Sequence, residues 1–147
     1  MKISEFLRLF KQGKVGAKSH MKNLIEVAMV DGEYDKTEEK LLDSLAKKHR
    51  ISKKQLKEVH DAPEHIDFEV PGDEKRKFEQ LYELVHMMVV DNCVDEAELQ
   101  LCGIFARKFG YDPDKVDELV HAISQNIQHG NHLIETKKRV SFLLPAN

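Results

Sequence analysis

The sequence predicts an all-α fold, an internally duplicated bundle of about eight helices, on three observations. Apolar residues recur at helical spacing along nearly the whole chain. Residues 24–59 match residues 84–119 at an offset of sixty without a gap. Nine of the 36 pairs are identical (Leu24/Leu84, Val30/Val90, Asp31/Asp91, Asp35/Asp95, Glu38/Glu98, Leu41/Leu101, Ala46/Ala106, Lys48/Lys108, Glu58/Glu118), where chance at average composition gives about two. The longest alternating apolar stretch, Ile66, Phe68, Val70, is too short to found a sheet. Two helical hairpins related by a pseudo-two-fold axis are the economical architecture. A chain of 147 residues suits a single domain over 1–147, able to bury about two-thirds of its unfolded surface without a disulfide or cofactor.

Ile3, Phe6, Leu7 and Phe10 follow one helical face and then meet Gly13 and Gly16, which predicts a short first helix and a turn. A second helix is expected from about Lys18 to Val30 with Met21, Leu24, Ile25 and Ala28 inward, and a third from about Lys36 to His49 with Leu41, Leu42 and Leu45 inward. Ser52 opens a fourth, with Gln55 at the capping-box position. Residues 61–72 contain two prolines and read as a connector between the copies. In the second copy Phe78, Leu81, Val85 and Met88 form the main stripe. Leu84, Met87, Val89 and Val90 make that helix apolar almost all round, as a central buried helix should be. Leu101, Phe105 and Phe109 match Leu41, Leu45 and His49. Asp112-Pro113 replaces Ser52-Lys53, a cap with proline at the first helical position. Gly130-Asn131 breaks the next helix, and a last helix, with Leu133, Ile134, Val140 and Leu143, ends at Pro145.

A net charge of −3 argues against a general nucleic-acid binder. The first residues, MKISEFLRLFKQGK, have Glu5 and Arg8 inside the apolar stretch and no small-residue cleavage site, so they make a poor secretory signal. No run approaches the roughly 18 apolar residues of a membrane span. Cys93 and Cys102 show no metal-type spacing and are expected to be reduced thiols in a cytoplasmic protein.

The best-matched stretch of the repeat is acidic: Asp31-Gly32-x-x-Asp35-x-x-Glu38 and Asp91-Asn92-x-x-Asp95-x-x-Glu98. Capping explains much of it. Asp35 and Asp95 stand where an N-cap belongs, Glu38 and Glu98 fall three residues later, and Gly32 and Asn92 tolerate the left-handed conformation that ends a helix. Capping does not explain Asp31 and Asp91, because a carboxylate at a helix C-terminus faces the negative end of the macrodipole and costs roughly 0.3–1 kcal/mol. A divalent cation would offset that cost, with Asp31 and Glu38, or Asp91 and Glu98, as hard oxygen ligands and Asp35 and Asp95 as supporting ligands or caps. A nearby lysine or plain solvation is the alternative. An EF-hand is excluded, since glycine follows the first aspartate at once instead of standing mid-loop among alternating ligands. A pseudo-two-fold axis would also allow one site shared by the four acids.

The string EVAMVDGEYDKTEEKLLDSLAKKHRIS resembles the signature of the TerB-like family, comprising tellurite-resistance proteins and the related module of certain DnaJ-type membrane co-chaperones. In that family an apolar helix ends in Asp-Gly and a glutamate follows six residues after the glycine, here Asp31, Gly32 and Glu38. The likeness covers about residues 18–143. It implies an all-helical duplicated domain, acidic turns that bind a metal ion, no general enzymatic activity and a bacterial stress setting. Val30 stands where many members have alanine. The second turn has Asn92 for glycine and Cys93-Val94 for Glu33-Tyr34, which makes it less polar than the first.

Other constellations carry less. His129 and His132, near His121, straddle the Gly130-Asn131 break, and no third ligand of matched spacing makes a zinc site. His60 and His65 flank Pro63 in the connector, where solvation accounts for them. His86 replaces Glu26 near the helix end that precedes Asp91. Cys93 would be a nucleophile only with a base to lower its pKa. Lys47, Lys48, Arg50, Lys53, Lys54 and Lys57 form a stripe with no acid among them, while the counterpart stretch adds Asp112, Asp114 and Asp117. A solvated helix face accounts for the stripe, and nucleic acid, an anionic membrane or an acidic partner is the alternative. Phe6 and Phe10 either pack on the bundle or serve a partner or homodimer interface.

The expectation is a non-enzymatic binding module with a protein partner and a divalent cation (calcium, magnesium, manganese or zinc). The alternatives are a carboxylate-metal enzyme, which needs the four acids to converge on an open cleft, and a nucleic-acid or membrane adaptor using the bases, whose binding would fall steeply with salt.

Overall fold

The structure is a computed structural model that describes residues 25, 29, 36–48, 50–61, 72–89 and 96–145. The chain forms two compact units, Met1–Glu69 and Val70–Asn147, whose boundary falls inside the 61–72 connector. Residues 24–59 lie wholly in the first unit and 84–119 wholly in the second. Among the described residues there are six α-helices, one 3-10 turn and no strand, so the fold is all-helical. The first expected helix, and the second apart from Ile25 and Met29, lie outside the described residues. Both of those residues are helical.

In the first unit α1 (Lys36–Lys48) buries Leu42, Leu45 and Ala46 and leaves Leu41 half-buried. Ile25 is fully buried. α2 (Lys53–Asp61) opens on the reciprocal pair its sequence predicts. The Gln55 N–H donates to Ser52 Oγ at 3.1 Å and the Ser52 N–H to Gln55 Oε1 at 2.8 Å, so two donors that the helix cannot satisfy internally are satisfied. Asp61, expected in the connector, is the last residue of α2.

The second unit is built around α3 (Glu74–Val89), which touches α4 (Glu96–Lys108), α5 (Val116–Gln128) and α6 (Leu133–Arg139). Its sequence explains that position. Phe78, Leu81, Leu84, Val85, Met87, Met88 and Val89 are all buried, a stripe too wide for one neighbour to cover. Each such side chain contributes roughly 1.5–3 kcal/mol, and Leu101 and Phe105 from α4 with Leu119, Val120 and Ile123 from α5 complete the core. Asp73 caps α3 by accepting the Arg76 N–H at 2.7 Å. Lys137 of α6 lays its ammonium 6.0 Å from the Phe78 ring centroid.

Three helices end in one geometry. Arg50 (φ 56), Gly110 (φ 94) and Gly130 (φ 84) are left-handed. In each, that residue's N–H bonds three residues back (to Lys47, Arg107 and Ile127 at 3.2, 2.9 and 3.0 Å) and the next N–H five back (Ile51 to Ala46, Tyr111 to Ala106 and Asn131 to Asn126 at 2.8, 3.2 and 2.9 Å). These paired bonds are the Schellman closure. The ends of α1 and α4 are thus matched bond for bond at an offset of sixty. Glycine takes this conformation without penalty, whereas an arginine Cβ crowds the following carbonyl.

Two expectations are corrected. The last helix ends at Arg139, short of Pro145, with a 3-10 turn at Ser141–Leu143, and within it Ile134 is 73% exposed while Thr136 is buried. The short α6 turns the Thr136–Val140 face inward, and Ile134 lies about 200° around the helix from Thr136. Pro113 does not begin the α-helix, which starts at Val116. Asp112 does cap, accepting the Asp114 N–H on its side chain at 2.9 Å and the Lys115 and Val116 N–H groups on its carbonyl at 2.9 and 3.1 Å, but residues 113–115 form a separate turn.

Chemical denaturation tests the turns. Gly110→Ala is expected to cost about 1 kcal/mol from backbone strain alone, since its Cβ would meet nothing closer than Lys77 Nζ at 4.0 Å. Arg50→Gly is expected to gain up to about 1 kcal/mol. Equal stability of both variants with wild type would contradict the reading.

Candidate functional site

The repeated acidic stretch leads into α1 and α4, which start at Lys36 and Glu96 and end at Lys48 and Lys108, each pair sixty residues apart. Asp31, Asp35, Asp91 and Asp95 lie outside the described residues. The Glu38 backbone belongs to the first turn of α1, and its side chain lies outside them. Glu98 is described. It is half-buried in the first turn of α4, where a carboxylate favours the positive end of the helix dipole. One turn on, burial first and then the Glu98 charge push the Cys102 thiol up. Cys102 is a free, fully buried thiol, so it is a core side chain and not a nucleophile. Cys93 lies outside the described residues.

The start of α4 is held by a contact that sequence reasoning missed. Glu96 accepts from His121 of α5, with His121 Nε2 2.8 and 3.0 Å from its two carboxylate oxygens, while His121 Nδ1 is 2.6 Å from the Asp117 carbonyl oxygen. Both ring nitrogens face acceptors, and only the imidazolium has a proton for each. The bond to the Asp117 carbonyl raises the His121 pKa. Desolvation works against it, and the Glu96 carboxylate and the Asp117 charge add to the rise. Beside this contact α4 and α5 approach closely at Gly103, where a Cβ would stand 3.3 Å from Asp117 Oδ1. The pairing joins residues 25 apart on different helices, so no local spacing announces it. The only sequence signal is the Asp117/His121 spacing of four.

The other histidines do not assemble. His129 and His132 cap opposite sides of the Gly130 break, at the end of α5 and the start of α6, and both are exposed. His60 has a described backbone in α2, and His65 lies outside the described residues. His86 stacks on Tyr82 at 6.2 Å between centroids, and the Tyr82 hydroxyl donates to the Asn131 carbonyl at 3.1 Å, tying α3 to the turn before α6. Among the described residues no three His, Cys, Asp or Glu side chains are arranged to hold a metal ion, and no helix is long and apolar enough to cross a membrane. Lys47, Lys48, Arg50, Lys53, Lys54 and Lys57 are all exposed. Comparison of the chain with protein-family models, with curated proteins and with solved structures found no match.

His121 is expected to titrate above the usual value of about 6.5, and Glu96→Gln to bring it down, both read by NMR. Because the folded pKa is the raised one, the contribution to stability is full below the unfolded value and is lost as pH rises through the folded one. Wild type should therefore exceed His121→Gln in stability by more at about pH 5.5 than at about pH 9. With the His121 side chain 41% exposed, that difference is at most about 1 kcal/mol. An equal margin at both pH values would show that the pair does not form.

Proposed function

We propose that this protein is a non-enzymatic binding module of the TerB-like type, an internally duplicated helical domain whose acidic turns bind a divalent cation and whose surface engages a partner protein. The observation that carries the reading is the repeated Asp-x-x-x-Asp-x-x-Glu, Asp31/Asp35/Glu38 and Asp91/Asp95/Glu98, leading into two helices with matched ends. Duplication is further supported by the paired hydrogen bonds that close α1 and α4. Matched burial at Leu42 and Cys102, Leu45 and Phe105, and Ala46 and Ala106 supports it as well.

The cation is supported by chemistry. The sequence expects Asp91 just past the end of the preceding helix, at the negative end of its dipole, while Glu98 sits in the positive first turn of α4. Caps account for the second placement and not for the first. Calcium, magnesium and manganese take carboxylate oxygens readily, and zinc takes them in tetrahedral sites. The cation in this reading stabilises the turn and shapes the surface offered to a partner. It performs no reaction. The setting implied by the resemblance is a cytoplasmic response to tellurite or envelope stress.

Thermal unfolding of chelator-stripped protein with each of the four cations tests the reading. At about a hundred times its dissociation constant a bound cation adds about 2.7 kcal/mol, or roughly 5–10 °C in Tm. That shift is expected for at least one cation and is expected to shrink in Asp31→Asn or Asp91→Asn. No shift with any of them would reduce the acidic turns to caps.

A further inference from the structure

The end of α1 and the start of α2 present Lys47, Arg50, Lys53, Lys54 and Lys57, all exposed. No acidic residue lies between Lys47 and Lys57. What gives this cluster meaning is the second copy of the same turn. Both turns close a helix with the same pair of hydrogen bonds, and both then cap the next stretch of chain, through Ser52 in one and Asp112 in the other. In the second turn each residue suits its backbone: Gly110 at the left-handed position, Pro113 directly after the cap, Asp114 next. The first turn places Arg50, Lys53 and Lys54 at those three positions. Each is locally opposed. The Arg50 side chain is strained at φ 56, and two lysines with no acid beside them in the first turn of α2 face the positive end of its dipole. Folding does not require these bases, since the second turn makes the same closure without them.

We propose that this basic turn is a docking surface for a short acidic segment of a partner protein. The stretch 47–57 has no Phe, Tyr or Trp side chain on which a nucleic-acid base could stack. Among the described side chains the large exposed apolar ones are Ile134 and Phe142, neither of them in this turn, and apolar insertion is part of what holds a helix to a lipid surface. All but one of the bases are lysines, point charges that accept carboxylates in many registers, unlike the fixed arginine forks that read guanine edges. The chain as a whole is negative, which repels an extended nucleic acid or an anionic bilayer beyond the patch, whereas a short acidic peptide need cover only the patch. This surface supplies the partner for the module proposed above and does not depend on its cation.

The test is fluorescence anisotropy of a labelled Asp/Glu decapeptide against the full chain, in EDTA throughout so that failure of the cation reading leaves the result unaffected. Wild type is expected to bind at low salt and to weaken steadily as salt rises. The variant Arg50→Gly/Lys53→Pro/Lys54→Asp, which installs the second turn's residues, is expected to keep a Tm at or above that of wild type and to bind roughly tenfold or more weakly. Lys47→Gln/Lys57→Gln leaves the turn untouched and is also expected to weaken binding. Lys75→Glu/Lys138→Glu, exposed positions in the second unit with the same change in net charge as the turn variant, should bind as wild type does. The proposal is overturned if wild type fails to bind at low salt or if the turn variants bind as well as it does. It is also overturned if the Lys75/Lys138 variant loses as much affinity, or if duplex DNA or phosphatidylserine vesicles bind more tightly than the peptide at equal salt.

Discussion

The left-handed closure that ends α1, α4 and α5 is the constraint on which the other features depend. A helix cannot turn back on its own core while its last carbonyls stay unsatisfied, and the two bonds of this closure satisfy carbonyls while redirecting the chain. At Gly110 the closure hands the chain to Tyr111, buried at 3% exposure, and then to the Asp112 cap, so that α5 starts where it can lie along both α3 and α4. At Arg50 the same closure places Ile51 half-buried and Ser52 in position to cap α2. Glycine would serve both positions. An arginine at one of them carries strain that glycine would not.

The two copies divide along that line. The second is locally optimised, with glycine, proline and aspartate where the backbone favours them, seven buried side chains on α3 and a histidine, His121, that pins α5 to the first turn of α4. In the first copy α1 buries Leu42, Leu45 and Ala46 at matched positions, and bases occupy the turn.

Much of this was legible in the sequence, and the failures have physical causes. The ends of α1 and α4, the Ser52/Gln55 box and the Gly130 break follow from periodicity and capping, which are local. The inward face of the last helix was not legible, because seven residues hold too few apolar ones to define it, and Thr136 took the inward position while Ile134 stayed exposed. The start of α5 was displaced because proline after a cap is compatible with a separate turn as well as with a helix. The Glu96–His121 pair depends on which helices meet, and periodicity does not carry that. The left-handed Arg50 escaped the sequence reading: its one hint is the alignment with Gly110, and arginine alone gives none of a positive φ. The acidic turns were legible as a motif. Of their six acids Glu98 is the one whose side chain the structure describes, half-buried where a carboxylate suits the helix dipole.

The central claim, that the paired acidic stretches are cation sites and not merely caps, is tested most directly by paramagnetic broadening. Manganese is titrated into ¹⁵N-labelled, chelator-stripped protein, and the loss of each amide signal is followed. The account predicts that signals around Asp31–Glu38 and Asp91–Glu98 vanish at the lowest manganese concentrations and return in Asp31→Asn and Asp91→Asn. Broadening spread evenly over exposed acids elsewhere, such as Glu118 of α5 and Glu135 of α6, would contradict it.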